Sequence, residues 1–109
     1  MNIKKGDNNF VKIKKLINKV IPYRKKTILF GSRTGSDYNS ASDYDILVIV
    51  NKSGIKRRDL LEFQIKIKRS CAKKGIDIDL IVRDLEYSNE IKDFPGNIIN
   101  SALNTGVQI

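Results

Sequence analysis

Two carboxylates stand at the head of the most apolar segment of this chain. Asp43 and Asp45 flank Tyr44 and are followed by five consecutive apolar residues, 46–50. An unbroken apolar run of this kind predicts a strand that is covered on both faces. Side chains alternate along a strand, so both carboxylates are expected on one face. Charge beside a core costs free energy, and the fold must therefore bring a compensating partner to these two side chains.

The hydrophobic patterns on either side predict a small α/β protein. Strands are predicted over residues 27–30, 44–50 and 76–82, and helices over residues 8–21, 56–74 and 96–103. The order α, β, β, α, β, α favours one domain over residues 1–109. A short loop can join antiparallel neighbours, whereas the second helix can serve as a crossover between parallel strands. The predicted fold class is therefore α/β, with a mixed β-sheet and packed helices.

The last predicted strand supplies a third carboxylate. Its even positions are apolar and its odd positions include Asp77 and Asp79. If this strand lies beside the central one with the acidic faces aligned, Asp43, Asp45 and Asp79 converge. Three carboxylates repel one another unless cations lie between them, and Mg²⁺ prefers oxygen ligands. Asp77 either joins this cluster or marks the exposed start of the strand.

A Gly-Ser pair follows the first predicted strand. Mg²⁺ tends to complete its coordination with substrate phosphates, so the acidic cluster predicts a nucleotide or another polyphosphate. Gly31 would permit a close backbone approach, Ser32 offers a hydroxyl and an N–H group, and Arg33 can pair with a phosphate oxygen. Loop polarity would explain Arg33 about as well.

The composition limits the other classes of site and partner. With no histidine and one cysteine, the usual Cys/His zinc sites are excluded, and Cys71 is expected in the core. The formal charge of +9 indicates either attraction to a polyanion or a solvated lysine-rich surface. Nucleic acid is not favoured, because aromatic residues do not alternate with the lysines. Without a long apolar segment, no membrane contact is expected and a cytoplasmic location is predicted.

The order of these motifs resembles the DNA polymerase β-like nucleotidyltransferase superfamily, most closely its minimal nucleotidyltransferases. Gly31-Ser32, ten intervening residues, Asp43-Tyr44-Asp45 and the later Asp79 carry the resemblance. It implies transfer of a nucleoside monophosphate from a nucleoside triphosphate onto a hydroxyl, with two Mg²⁺ ions. The preferred donor is ATP, with AMP as the group transferred. By the same resemblance Asp43 and Asp45 would bind both ions and Asp79 the catalytic one. Ser32, with Gly31 and Arg33, would hold the triphosphate.

The resemblance also implies a partner protein. Residues 83–109 leave no room for an acceptor-binding domain, so the acceptor site is expected to be completed by another polypeptide. In the minimal branch this implies a HEPN-type toxin, silenced when its tyrosine receives AMP, with the present chain as antitoxin. Ile98, Ile99 and Val107 would form either its docking patch or ordinary core. The alternative function is a non-catalytic basic module that binds nucleic acid or occludes a toxin.

Overall fold

The structure is a computed structural model that describes residues 8–30, 44–93 and 97–109. Its elements, in chain order, are α1 (Asn8–Val20), β1 (Arg24–Phe30), β2 (Tyr44–Asn51), α2 (Arg57–Lys73), β3 (Ile78–Asp84), α3 (Leu85–Ile91), α4 (Ile98–Thr105) and β4 (Val107–Gln108). This order confirms the predicted α/β class. In the described parts of the chain, no helix is both long enough and apolar enough to cross a membrane.

The four strands form one mixed sheet in the order β3-β2-β1-β4. β1 is antiparallel to both β2 and β4, whereas β2 and β3 are parallel. The parallel pair needs a crossover, and α2 provides it. The mixed sheet predicted from the loop lengths is thereby confirmed, with β2 at an interior position next to β1 and β3.

The sheet is covered on both faces, which explains the apolar run in β2. Tyr44, Ile46, Val48 and Val50 point into a core shared with α1 and α2. The alternate residues of β2 point to the other face, where Leu47 and Ile49 belong to a second core cluster that includes Ile99 and Ala102 of α4. A strand buried on both faces can be apolar at every position.

Two elements of the structure were not predicted. α3 has seven residues and begins at an N-cap, Asp84, whose side chain accepts a hydrogen bond from the Tyr87 amide at 3.1 Å. β4 has two residues, paired with Ile28 and Leu29 of β1. Both are too short to show a hydrophobic period, and each depends on neighbours that a local pattern does not contain. The aspartate at the start of α3 is a sequence signal for a helix start, but alone it does not predict one.

Several predicted core assignments are corrected by the structure. The apolar arc of the predicted second helix includes Leu61 and Ile65, but these side chains are 53% and 45% exposed. Leu103 of α4 is also exposed, whereas Ile99 is 1% exposed and belongs to the core. Ile99 is therefore not part of a docking patch at the final helix. The side chains of Ile98 and Val107 lie outside what the structure describes.

We predict that Gly106→Ala destabilises the fold through steric overlap. A methyl group on Gly106 would lie 2.5 Å from the Ala102 carbonyl oxygen and 2.6 Å from Cγ2 of Ile28. Both neighbours belong to packed structure, so the chain must shift, and overpacking of this kind costs about 1–3 kcal/mol. Urea unfolding should show this loss in the free energy of unfolding.

Gly54→Asn is the matched control for that change. Gly54 has a left-handed backbone with φ of 74° and open space around its Cα, and asparagine tolerates this conformation better than other residues. A loss for Gly54→Asn as large as that for Gly106→Ala would contradict the steric explanation.

Candidate active site

The structure brings two of the predicted carboxylates together. In the parallel ladder of β2 and β3, Asp45 is the direct register partner of Asp79. On its other side Asp45 pairs with Phe30, the last residue of β1. Asp45 is the second residue of β2.

The alternation of side chains along β2 explains why a tyrosine lies between two aspartates in the Asp-Tyr-Asp motif. Tyr44 is 3% exposed and packs in the core on the α1 and α2 side of the sheet. Asp45, on the opposite face, is half-buried, and its partner Asp79 is exposed. Neighbouring strands lie about 4.8 Å apart, so two acidic groups share one small region of the face. A cation between them would relieve their repulsion.

The remaining predicted site residues fall in a segment outside the described residues. Asp43, Gly31, Ser32 and Arg33 all lie within 31–43, and their roles stay predictions. The chain enters this segment directly after Phe30, opposite Asp45. The Gly-Ser pair therefore begins one residue beyond the partner of a carboxylate.

Asp77 is less closely involved than Asp79. It precedes β3 and is exposed, and its carbonyl oxygen accepts a hydrogen bond from the Tyr44 amide at 3.3 Å. That bond fixes where the parallel ladder starts. Its backbone therefore has a structural role, whereas a metal role for its side chain stays a prediction.

The donor chemistry of the site fits a hard divalent cation. Asp45 and Asp79 are register partners there, and Asp43 precedes Asp45 by two residues in the sequence. Oxygen ligands of this kind suit Mg²⁺. In residues 8–30, 44–93 and 97–109, no group of three histidine, cysteine, aspartate or glutamate side chains could hold a metal. The predicted third ligand, Asp43, is not among those residues.

The lone cysteine lies away from this chemistry. Cys71 is 1% exposed in the core formed by α1, α2 and the sheet. Burial raises the pKa of its thiol, and the positive charge of Lys74 opposes that rise in part. The thiolate is the reactive form, so Cys71 is a core residue, as its position on the apolar side of the helix predicted.

Comparison with known proteins agrees with this geometry. The family model described as polymerase beta, nucleotidyltransferase matches residues 11–105, most of the chain. The chain belongs to this nucleotidyltransferase family. It is accordingly an enzyme of the nucleotidyltransferase class, and the resemblance to the polymerase β-like superfamily is confirmed.

Individual proteins and solved structures are also similar to this nucleotidyltransferase. A Methanocaldococcus jannaschii protein with the provisional name protein adenylyltransferase is 29% identical over 84 residues, which are 77% of each chain. A crystal structure of the toxin–antitoxin pair MntA–HpeT, in a mutant form, gives a TM-score of 0.56 at 22% identity. That match covers 93% of this chain and 71% of the other.

A second solved structure is similar over nearly the whole length. It comes from Sulfolobus solfataricus, and its assignment as a nucleotidyltransferase is provisional. The TM-score is 0.52 at 21% identity, with 98% of this chain and 90% of the other covered. At such identities the two structures show that the fold is shared.

We predict that Asp45→Asn and Asp79→Asn each weaken the Mg²⁺-dependent binding of ATP. Each change removes one negative charge from the paired position and keeps the side-chain shape. The expected loss of affinity is about tenfold or more, equivalent to about 1.4 kcal/mol. Isothermal titration of ATP with and without Mg²⁺ measures it. The control is Asp93→Asn, which changes an exposed acid beyond α3. An equal loss of ATP affinity in this control would contradict a specific role for Asp45 and Asp79.

A second prediction concerns Cys71. Its thiol should react with iodoacetamide at pH 8 roughly a hundredfold or more slowly in the folded protein than in urea, because reaction requires opening of the core. Cys71→Ala/Lys73→Cys supplies an exposed thiol two residues along the same helix and should react fast in both states. A native Cys71 that reacts as fast as that control would show it to be accessible.

Proposed function

We propose that this nucleotidyltransferase transfers AMP from ATP to a hydroxyl group of a partner protein. The observation that carries the proposal is the direct pairing of Asp45 with Asp79 on one face of the sheet. Membership in a nucleotidyltransferase family gives that acidic pair a reaction class. It also favours catalysis over the alternative of a non-catalytic basic binding module.

The relatives support AMP as the group and a protein as the acceptor. The Methanocaldococcus jannaschii relative bears the name of a protein adenylyltransferase. The MntA–HpeT structure contains a toxin–antitoxin pair. We extend both to this chain as a proposal: its partner is a toxin of the HEPN type, the acceptor is a tyrosine hydroxyl, and AMP transfer makes the chain an antitoxin. A cytoplasmic location is part of the same proposal.

The acidic residues and the phosphate loop have separate roles in this proposal. Asp43, Asp45 and Asp79 would hold two Mg²⁺ ions, and Gly31, Ser32 and Arg33 would hold the triphosphate. When bound, Mg²⁺ neutralises phosphate charge and lowers the pKa of a coordinated hydroxyl. Asp79 is exposed, and among the described strands β3 has only β2 as a neighbour. A large acceptor can therefore approach Asp79 more easily than the half-buried Asp45.

The proposed reaction is a single displacement at the α-phosphorus. A bond forms between the acceptor oxygen and that phosphorus, and the bond from the phosphorus to the bridging oxygen of the leaving group breaks. Pyrophosphate departs with the electron pair of the broken bond. In this proposal the hydroxyl proton passes to the Asp79 carboxylate and then to solvent. No histidine is needed for this sequence, and the chain has none.

We predict that co-expression with a HEPN-type toxin, sought among the proteins encoded beside this one, yields toxin carrying one AMP on a tyrosine. Intact-mass measurement and peptide sequencing of the purified toxin locate the group. Asp45→Asn should reduce the modified fraction at least tenfold, since it removes a proposed metal ligand. Lys92→Glu changes an exposed residue outside the proposed site and should leave the modified fraction unchanged.

The same experiment separates catalysis from occlusion. Suppose that Asp45→Asn still neutralises the toxin fully, and that the toxin carries no AMP with either the unchanged protein or this variant. The protein then acts by binding alone. If AMP is found on a different protein, the transfer stands and the toxin acceptor is wrong.

A further inference from the structure

We propose that a groove at the far end of the sheet is a docking site for an acidic amphipathic helix of a partner protein. The groove lies between α2, the end of β3 and α3, and its volume is about 430 Å³. Its lining includes Ile55, Arg57, Leu61, Gln64, Arg83 and Tyr87. We call it the α2–α3 groove.

Large apolar side chains are unusually exposed along this groove. Leu61 is 53% exposed and Tyr87 is 43% exposed, and both line it. Ile65, one helical turn beyond Leu61, is 45% exposed and lies on the same side of α2. Isolated apolar residues at a surface are normal, but a cluster of them marks a binding surface. The ridge of Leu61 and Ile65 continues the groove along α2.

The groove is built to hold side chains rather than an added strand. The Val82 amide donates to Gln64 Oε1 at 3.2 Å, and the Val82 carbonyl oxygen accepts from Arg83 Nη1 at 2.9 Å. The backbone of Val82 at the sheet edge is thereby already satisfied. A strand that paired there would have to displace both side chains. A helix that inserts apolar side chains between α2 and α3 needs no such displacement.

The charges around the groove select an acidic ligand. Lys56, Arg57 and Arg58 are consecutive and exposed at the start of α2, and Arg83 lies on the opposite wall. Cations at a helix amino terminus are unfavourable for the helix dipole, so helix stability does not account for them. Asp84, the acid among the lining residues, is already engaged as the cap of α3.

The exposed surface of α1 and α2 is also positively charged. Among the described side chains of α1 and α2, the exposed charged residues are ten cations and one acid, Glu62. The cations are Lys12, Lys14, Lys15, Lys19, Arg57, Arg58, Lys66, Lys68, Arg69 and Lys73. This charge attracts acidic partners in general. A nucleic-acid backbone offers nothing for the exposed Leu61 and Ile65 to pack against, so the apolar ridge favours a protein.

Docking at this groove leaves the proposed active site open. Asp84 lies five positions beyond Asp79 along β3, a distance of about 16 Å at 3.3 Å per residue. A bound helix would therefore hold the partner without covering Asp79. The inference goes beyond the proposed function, and its test measures binding, which does not depend on AMP transfer.

The test uses three synthetic 18-residue peptides and the full chain. The first peptide has leucine on one helical face and glutamate on the flanks, the second has lysine in place of each glutamate, and the third has serine in place of each leucine. Fluorescence anisotropy should show saturable binding of the first peptide and binding at least tenfold weaker for the other two. Affinity should also fall as salt is raised.

Surface variants locate the binding. Leu61→Asp and Ile65→Asp should each weaken binding of the first peptide at least tenfold. Val11→Asp is the matched control, because Val11 is 47% exposed on α1. This variant should bind the first peptide with the same affinity as the unchanged protein. All three residues are exposed, so circular dichroism should show unchanged unfolding temperatures.

Four results would overturn the proposal. The first is that the acidic amphipathic peptide shows no saturable binding, and the second is that the lysine peptide binds equally tightly. The third is that Val11→Asp weakens peptide binding as much as Leu61→Asp does. The fourth is that poly(U) binds more tightly than the first peptide, and that Arg57→Glu weakens poly(U) binding while Leu61→Asp does not. The surface would then be a polyanion site.

Discussion

The parallel pairing of β2 and β3 is the constraint on which the rest of this structure depends. It places Asp45 directly beside Asp79, although the two are separated by 33 intervening residues, 46–78, in the chain. Two like charges held at this spacing oppose folding unless a cation or a hydrogen-bond donor compensates them. The large apolar area buried by β2 on both faces keeps the pair in register, because a slip by one residue would turn every side chain to the wrong face.

The same sheet separates two kinds of surface. The face with Asp45 and Asp79 is followed along the strands by the cluster of Leu47, Ile49 and Ile99. The other face is covered by α1 and α2, whose outer sides are strongly basic. The net charge of +9 is therefore concentrated away from the acidic pair in the described residues. Charge of this sign attracts a partner to the helical layer rather than serving the acidic site directly.

Sequence reasoning reached the elements whose signals are local and strong. The apolar run of β2 and the alternation in β3 predicted both strands, and α2 ends at Lys73, one residue before the predicted end. The convergence of Asp45 and Asp79 was expected only if these strands were neighbours in register, and the parallel ladder meets that condition. Sequence reasoning could not predict β4, which depends on pairing with β1. It also could not show that Leu61 and Ile65, on the apolar arc of α2, are exposed, because periodicity marks an apolar face without showing what covers it.

The central claim is that the paired carboxylates hold the metal that accompanies the nucleotide. Mn²⁺ can replace Mg²⁺ in oxygen-ligand sites, and its unpaired electrons broaden nearby NMR signals. Two-dimensional spectra of the labelled protein, recorded with a non-hydrolysable ATP analogue and substoichiometric Mn²⁺, therefore locate the ion directly. The account predicts that the amide signals of Asp45 and Asp79 disappear first. Broadening centred instead on the exposed acids of α3, Glu86 and Glu90, with Asp45 and Asp79 unaffected, would contradict it.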